Sequence, residues 1–393
     1  MAKRIGGVGF LLAMVAVAAN LRPAISSVPP LLEVIRRDLG LSHAAVGLIT
    51  TIPVLLMGLV PVLAAYLAAR AGSERLVLAA VLVVGVGLLA RLIETVPFLY
   101  LSAALIGLGI ATAQTLLPDL AKSHFRERAA TVMAVQAVAM TVGAGLAAVV
   151  TPSLAAAGSW PLALAIWALP AFAGAAIWRF TASLPAPVAA VAAPAFGFPL
   201  RSVLAWRITL FAAVSSALFY TTLTWIPPTY TEAGWSTEET GTLLLVLSLS
   251  QLAASLAVTG FSGAFRDRRP QLVGSLVLGA AGCAGLAWAP MAAPWGWMLC
   301  VGLATGALFP LSLMLPVDYE ERPEALRCLS AMSLTGSYVL AATGPVLFGA
   351  LRGATGDYAV AYAALGVCCL ASVFMSMRFA PRAWDLEADA AQP

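Results

Sequence analysis

Twelve apolar stretches, each long enough to cross about 30 Å of hydrocarbon as a helix, recur along this chain. They lie near residues 5–32, 44–69, 75–95, 98–118, 129–151, 160–179, 205–228, 239–264, 271–289, 295–317, 328–350 and 358–378. Nothing constrains the fold more. Inside hydrocarbon every backbone N–H and C=O must be satisfied within its own segment, which for runs of this length means helix. Composition agrees: 61% hydrophobic, 10% charged and a mean hydropathy of +0.94 exclude a soluble domain, whose surface would need far more charge. Cys283, Cys300, Cys328, Cys368 and Cys369 lie in or beside apolar stretches without metal spacing and read as reduced core residues. Met1-Ala2-Lys3-Arg4 resembles a signal-peptide start, but the long run and the further spans make it a retained first helix.

The connections are short except for residues 180–204, where Pro185, Pro187, Pro194 and Pro199 in an Ala-rich context read as a flexible linker. The expected fold is therefore an all-α membrane protein, with twelve transmembrane helices in two pseudo-symmetric six-helix bundles. Residues 1–179 form the first bundle, 180–204 a cytoplasmic linker, and 205–393 the second bundle with a short cytoplasmic tail. With the N-terminus cytoplasmic, seventeen of the 22 Lys and Arg residues fall inside, and only Arg36, Arg37, Arg91 and Arg352 fall outside. Short motifs repeat at an offset of about 198 residues, Val28-Pro29-Pro30 answering Ile226-Pro227-Pro228 and Leu116-Leu117-Pro118 answering Met314-Leu315-Pro316. In this register Arg22 corresponds to Tyr220, so one half offers a cation and the other an aromatic hydroxyl to a site between them.

Arg22 alone among the charged residues cannot be placed near a membrane surface. A guanidinium inside hydrocarbon costs about 3 kcal/mol or more, so such a residue reads by default as functional. Pro23 removes a backbone donor and disfavours helical geometry at Arg22, so a freed carbonyl and the cation are expected to share one site. The functional reading is an anion or electronegative ligand held in the guanidinium fork. The structural reading is an arginine bonded to carbonyls around the proline break. Asn20 either faces the same cavity or ties the first span to a neighbour.

Several segments resemble the major facilitator superfamily, and within it the cyanate and 2-nitroimidazole permease branch. They are Asn20-Leu21-Arg22-Pro23-Ala24-Ile25-Ser26-Ser27-Val28, Pro118-Asp119-Leu120-Ala121-Lys122, Phe219-Tyr220-Thr221 with Trp225-Ile226-Pro227-Pro228, and Leu329-Ser330-Ala331-Met332 through Ser337-Tyr338 to Gly344-Pro345. The resemblance covers both halves and implies a secondary transporter alternating between two access states, without fixing its substrate. One departure concerns the turn after the second span. That superfamily commonly carries a Gly-x-x-x-Asp-Arg-x-Gly-Arg-type signature there, but this chain reads Leu67-Ala68-Ala69-Arg70-Ala71-Gly72-Ser73-Glu74-Arg75, with Ala69 at the acid position. The second-half counterpart, Gly263-Ala264-Phe265-Arg266-Asp267-Arg268-Arg269, keeps its Asp. A cytoplasmic gate built from Arg70, Arg75, Asp267 and Arg268 is thus expected to be asymmetric. The alternative is a pair of ordinary positively charged turns.

Further candidate substrate-binding residues are Tyr220, Thr221 and Trp225 on the seventh span, Tyr338 on the eleventh, and Gln114, Gln136 and Gln251 on the fourth, fifth and eighth. A buried amide or phenol without a partner is costly, so each must face a ligand, water or a neighbouring helix. Gly143, Gly145, Gly107 and Gly109 read as close helix contacts, and Pro53 and Gly344-Pro345 as kinks. Gly260-Phe261-Ser262-Gly263 matches the motif of intramembrane serine proteases. A nucleophilic serine needs a base in reach, yet the chain's two histidines, His43 and His124, fall in loops on opposite faces. No enzyme is expected, and no cofactor, metal cluster or nucleic-acid patch is visible.

All 18 acids fall in loops, tails or the outermost turns. A central cavity with a fixed positive charge and no carboxylate favours anions. The expected function is a secondary active transporter that moves a small anion or weak acid by alternating access in an inner membrane, as a monomer in the lipid bilayer, with a coupling proton as an optional partner. A carrier or exporter of neutral nitro- or azole-type compounds is the alternative. A channel and a non-transporting receptor are the remaining ones.

Overall fold

The computed structural model describes residues 2–181, 197–261 and 267–379. Among them there is no strand, and eleven helical segments are long and apolar enough to cross a membrane. One of these, Val96–Ala157, has 62 residues. At 1.5 Å per residue it would reach roughly 90 Å, three times a hydrocarbon core. It divides at Arg126, whose φ of 42° breaks the helix, into Val96–Phe125 and Ala129–Ala157. Twelve crossings result: span 1 (Val8–Asp38), 2 (His43–Ala71), 3 (Ser73–Ala90), 4 (Val96–Phe125), 5 (Ala129–Ala157), 6 (Trp160–Thr181), 7 (Val203–Glu232), 8 (Thr237–Gly260), 9 (Arg269–Trp288), 10 (Pro294–Tyr319), 11 (Pro323–Thr355) and 12 (Ala359–Ser376).

Local chemistry sets the span ends. Ser42 Oγ accepts the Ala45 N–H at 3.1 Å to start span 2. Ser236 and Glu239 form a reciprocal capping box ahead of span 8, Ser236 N to Glu239 Oε2 at 2.8 Å and Glu239 N to Ser236 Oγ at 3.2 Å. The reversal between spans 2 and 3 turns on a single residue, Gly72, whose φ of 90° suits only a residue without a Cβ. Span 11 is interrupted at Ala342, between Pro323–Ala341 and Thr343–Thr355, as the Gly344-Pro345 kink predicts.

The chain forms two compact units. The first takes Met1–Phe196 with Tyr220–Leu245 and Ala342–Gly353; the second takes Gly197–Phe219, Val246–Ala341 and Ala354–Pro393. In the first, small residues let helices approach: a Cβ at Gly107 of span 4 would lie 2.6 Å from Pro53 Cα of span 2. The second packs spans 7, 9, 10 and 12 around Phe211, Leu218, Leu276, Cys283, Leu308 and Cys369, all fully buried. Leu169 and Phe374 meanwhile stand 67% and 75% exposed, an apolar outside that suits lipid. All five cysteines are free thiols. Most of the linker and the tail beyond Phe379 lie outside the described residues, as do Ser262, Gly263 and Arg266.

Candidate functional site

Span 1 runs as a helix to Leu21, turns at Arg22 and resumes as Pro23–Ser26, then a 3-10 turn Pro29–Leu31 and the helix Leu32–Asp38. The break comes from the missing N–H of Pro23, but not in the way the dipeptide suggests. Arg22 keeps helical dihedrals (φ −83°, ψ −35°) rather than moving to the extended region. The proline's steric preference is overcome because the Arg22 carbonyl gains two donors, Ile25 N at 3.1 Å and Ser26 N at 2.9 Å. The carbonyl deprived of its helical donor is that of Ala19, four residues before Pro23. Gly143 of span 5 lies directly against it, where a Cβ would overlap the oxygen. The Arg22 side chain itself is half-buried.

A buried arginine also holds this break, one that the sequence places in an outer turn. Arg91, at the end of span 3, is 3% exposed. Its Nη2 donates to the Ala24 carbonyl at 3.0 Å and its Nε to Ser102 Oγ of span 4 at 3.0 Å. Among the described residues no carboxylate pairs with it, and its Nη1 is buried without a partner.

The first unit also holds Asn20, Gln114, Gln136, Tyr220, Thr221 and Trp225. Asn20 Nδ2 donates to the Ala16 carbonyl of its own span at 2.7 Å, and Gly174 of span 6 leaves room for this amide, since a Cβ there would lie 3.3 Å from it. Gln136 and Thr221 are buried, and Gln136 Nε2 and Thr221 Oγ1 have no hydrogen-bond partner among the described residues. Leaving such an atom unsatisfied costs about 1–3 kcal/mol. Tyr220 is buried, with its hydroxyl 3.6 Å from Met57 Sδ of span 2, a weak acceptor. Trp225 donates its indole N–H to the Pro345 carbonyl at 2.9 Å and stacks on Phe348 at 5.5 Å, fastening span 7 to span 11. Gln114 is half-buried on span 4.

The second unit holds Tyr338, buried on span 11, and Gln251, half-buried on span 8. It also contains a recess of about 330 Å³, counted with its open mouth, that the sequence reading missed. Five serines line it: Ser216 of span 7, Ser312 of span 10, and Ser330, Ser333 and Ser337 of span 11. The signal was there, since 330, 333 and 337 share one helical face.

The turns expected to gate the site are asymmetric. Arg70 lies over the Tyr66 ring at 4.3 Å, and neither Arg70 nor Arg75 is ion-paired among the described residues. In the second half Arg268 Nε meets Asp318 Oδ2 of span 10 at 3.2 Å. Asp267 is paired with Arg269 at 2.8 Å, and that hydrogen-bonded guanidinium holds its carboxyl below the usual range.

Twelve apolar spans in an all-helical fold define a multi-pass membrane protein. The chain belongs to the Major Facilitator Superfamily, whose family model matches residues 8–326. Within it the chain falls in the cyanate and 2-nitroimidazole permease-like branch. It is 32% identical over 376 residues to the cyanate transport protein CynX of Escherichia coli (strain K12), covering 94% of this chain and 97% of that one. It is 30% identical over 347 residues to the 2-nitroimidazole transporter of the same organism, covering 88% of each. Among solved structures the nucleoside transporter NupG superposes with a TM-score of 0.78 at 14% identity, over 94% of this chain and 99% of that one, which establishes the shared fold. This family consists of transporters rather than enzymes.

Proposed function

We propose that this protein is a secondary active transporter that carries a small anion or weak acid by alternating access, with Arg22 as the cation that binds it. The observation that carries the reading is the break in span 1. It sets Arg22 at the interruption, in the same compact unit that buries Gln136 Nε2 and Thr221 Oγ1 without partners. A guanidinium offers an anion a planar fork of donors, and in a low dielectric the Coulomb term adds to it. The cyanate transport protein among the relatives supports a linear, monovalent anion of this class. The other candidate contacts are Asn20, Gln114 and Gln136 of residues 1–179, and Tyr220, Thr221, Trp225, Tyr338 and Gln251 of residues 205–393. Residues 1–179 and 205–393 are the alternating halves, working as a monomer with both termini on the cytoplasmic side of an inner membrane. A proton is the candidate coupling ion.

The second reading, transport of neutral nitro- or azole-type compounds, is favoured by the 2-nitroimidazole relative and by the uncharged, serine-lined recess. Thermal stabilisation of the purified protein separates the two. Cyanate, and azide as a linear anion that does not carbamoylate amines, are run beside 2-nitroimidazole on wild type, Arg22→Lys and Arg22→Ala. Stabilisation by the anions that vanishes in Arg22→Ala is expected. Stabilisation by 2-nitroimidazole alone, retained without Arg22, selects the neutral reading.

A further inference from the structure

Four arginines break the charge asymmetry of the sequence by falling on its positive-poor face, and three of them converge on two carboxylates and an imidazole. Glu33 of span 1, 3% exposed, accepts from Arg36 Nε at 2.7 Å and Arg37 Nε at 2.6 Å. Glu232, the last residue of span 7, accepts from Arg352 Nη2 of span 11 at 2.6 Å. Its other oxygen lies 3.4 Å from Nε2 of His43, the first residue of span 2. Ligand atoms of Glu33, His43 and Glu232 fall within 4.8 Å of one another.

The backbones close in around these groups. A Cβ at Gly349 of span 11 would overlap the His43 carbonyl oxygen and lie 2.7 Å from the Trp225 ring, and one at Gly47 of span 2 would lie 2.8 Å from the Pro345 oxygen. Spans 1 and 2 belong to the first sequence repeat, and spans 7 and 11 to the second.

One histidine and two carboxylates are also a zinc donor set. Here three guanidiniums already hold the two carboxylates, so a dication would enter a site of net positive charge and displace short ion pairs. The arrangement suits pairing between helices.

We infer that Glu232 is a positioning residue of the transport cycle: Arg352 orients its carboxylate, which holds the end of span 7 to His43 of span 2, and release of this contact opens that face. The inference rests on the alternating-access reading, and the test is chosen to fail separately from it. Hydrogen–deuterium exchange of the full chain in lipid nanodiscs reads opening at segments 33–45, 225–236 and 343–356 without needing a substrate. Glu232→Gln is expected to speed exchange there by about tenfold, the scale of losing a partly buried charge pair. His43→Gln, which removes one contact and leaves the Arg352 pair, should speed it less.

The charge swap Glu232→Arg with Arg352→Glu should recover protection that Arg352→Glu alone loses. Unchanged exchange in Glu232→Gln, uniform loss of protection across the chain, or a swap no better than the single variant would overturn the latch. In an alternating carrier the opposite face should close in step, slowing exchange around residues 70–75 and 318–323. If the first face opens and the second does not respond, the latch stands and alternating access fails.

Discussion

Two glycines two residues apart on span 5 allow a sharp test of how the break in span 1 is held. At Gly143 a Cβ meets backbone, overlapping the Ala19 carbonyl oxygen, with the Ala19 carbon at 3.1 Å and Pro23 Cγ at 3.3 Å. Nothing there can swing aside, so span 5 or the Arg22 segment must shift. At Gly145 the obstacle is Leu245 Cδ1 at 2.6 Å, with the next atom, its own Cγ, at 4.0 Å, and a change of leucine rotamer clears it.

Overpacking against a fixed wall costs about 1–3 kcal/mol, whereas a rotamer adjustment costs about 0.5–1.5 kcal/mol. Alanine gains up to about 1 kcal/mol over glycine in helix-forming preference at both sites. Gly143→Ala is therefore expected to destabilise by up to about 2 kcal/mol, and Gly145→Ala to stay within about 0.5 kcal/mol of wild type. Unfolding in mixed micelles, read by tryptophan fluorescence, measures both. The same variants are assayed for anion stabilisation, which Gly143→Ala should weaken because the shift reaches Arg22. Gly145→Ala as damaging as Gly143→Ala, or Gly143→Ala neutral in both assays, would refute the view that a proline-exposed carbonyl fixes this contact.

Arg91→Ala should destabilise the protein more than Ser102→Ala, which strands the buried Nε and should itself cost about 1–3 kcal/mol. Equilibrium unfolding of the two variants and their double mutant reads this, and equal effects would mean that the Ala24 contact contributes nothing. At the second-half turn the lowered carboxyl of Asp267 contributes stability that is present above the ordinary carboxylate range and lost as pH falls through the lowered value. Asp267→Asn should accordingly lower stability in the neutral region, leave the strongly acid end nearly unchanged, and so flatten the acid limb of a stability–pH profile.

The sequence alone determined a great deal here. Hydrocarbon forces backbone groups to pair within each segment, so hydropathy dictated the helices, and Pro23 marked the break in span 1. The repeat motifs announced two related halves, and the residues around Arg22 and Tyr220 pointed to the branch. Span ends were legible to within four residues except in spans 1, 3, 4, 5 and 11, where they differ by five to seven. Span 3 stops at Ala90 rather than near 95, and Arg91 just past it is buried.

What only the tertiary structure decided is which polar groups find partners. Asn20 turns back to the Ala16 carbonyl of its own span, Trp225 binds the carbonyl of Pro345, and the serines of spans 7, 10 and 11 share one recess. Positive charge on a positive-poor face was visible as an exception, yet counting could not say that Arg91 reaches Ala24 or that Arg352 reaches Glu232. Hydropathy acts along one segment and is written locally. Hydrogen bonds of 3.0 and 2.6 Å between residues 67 and 120 positions apart depend on how helices rotate and approach, which is fixed by packing of the whole.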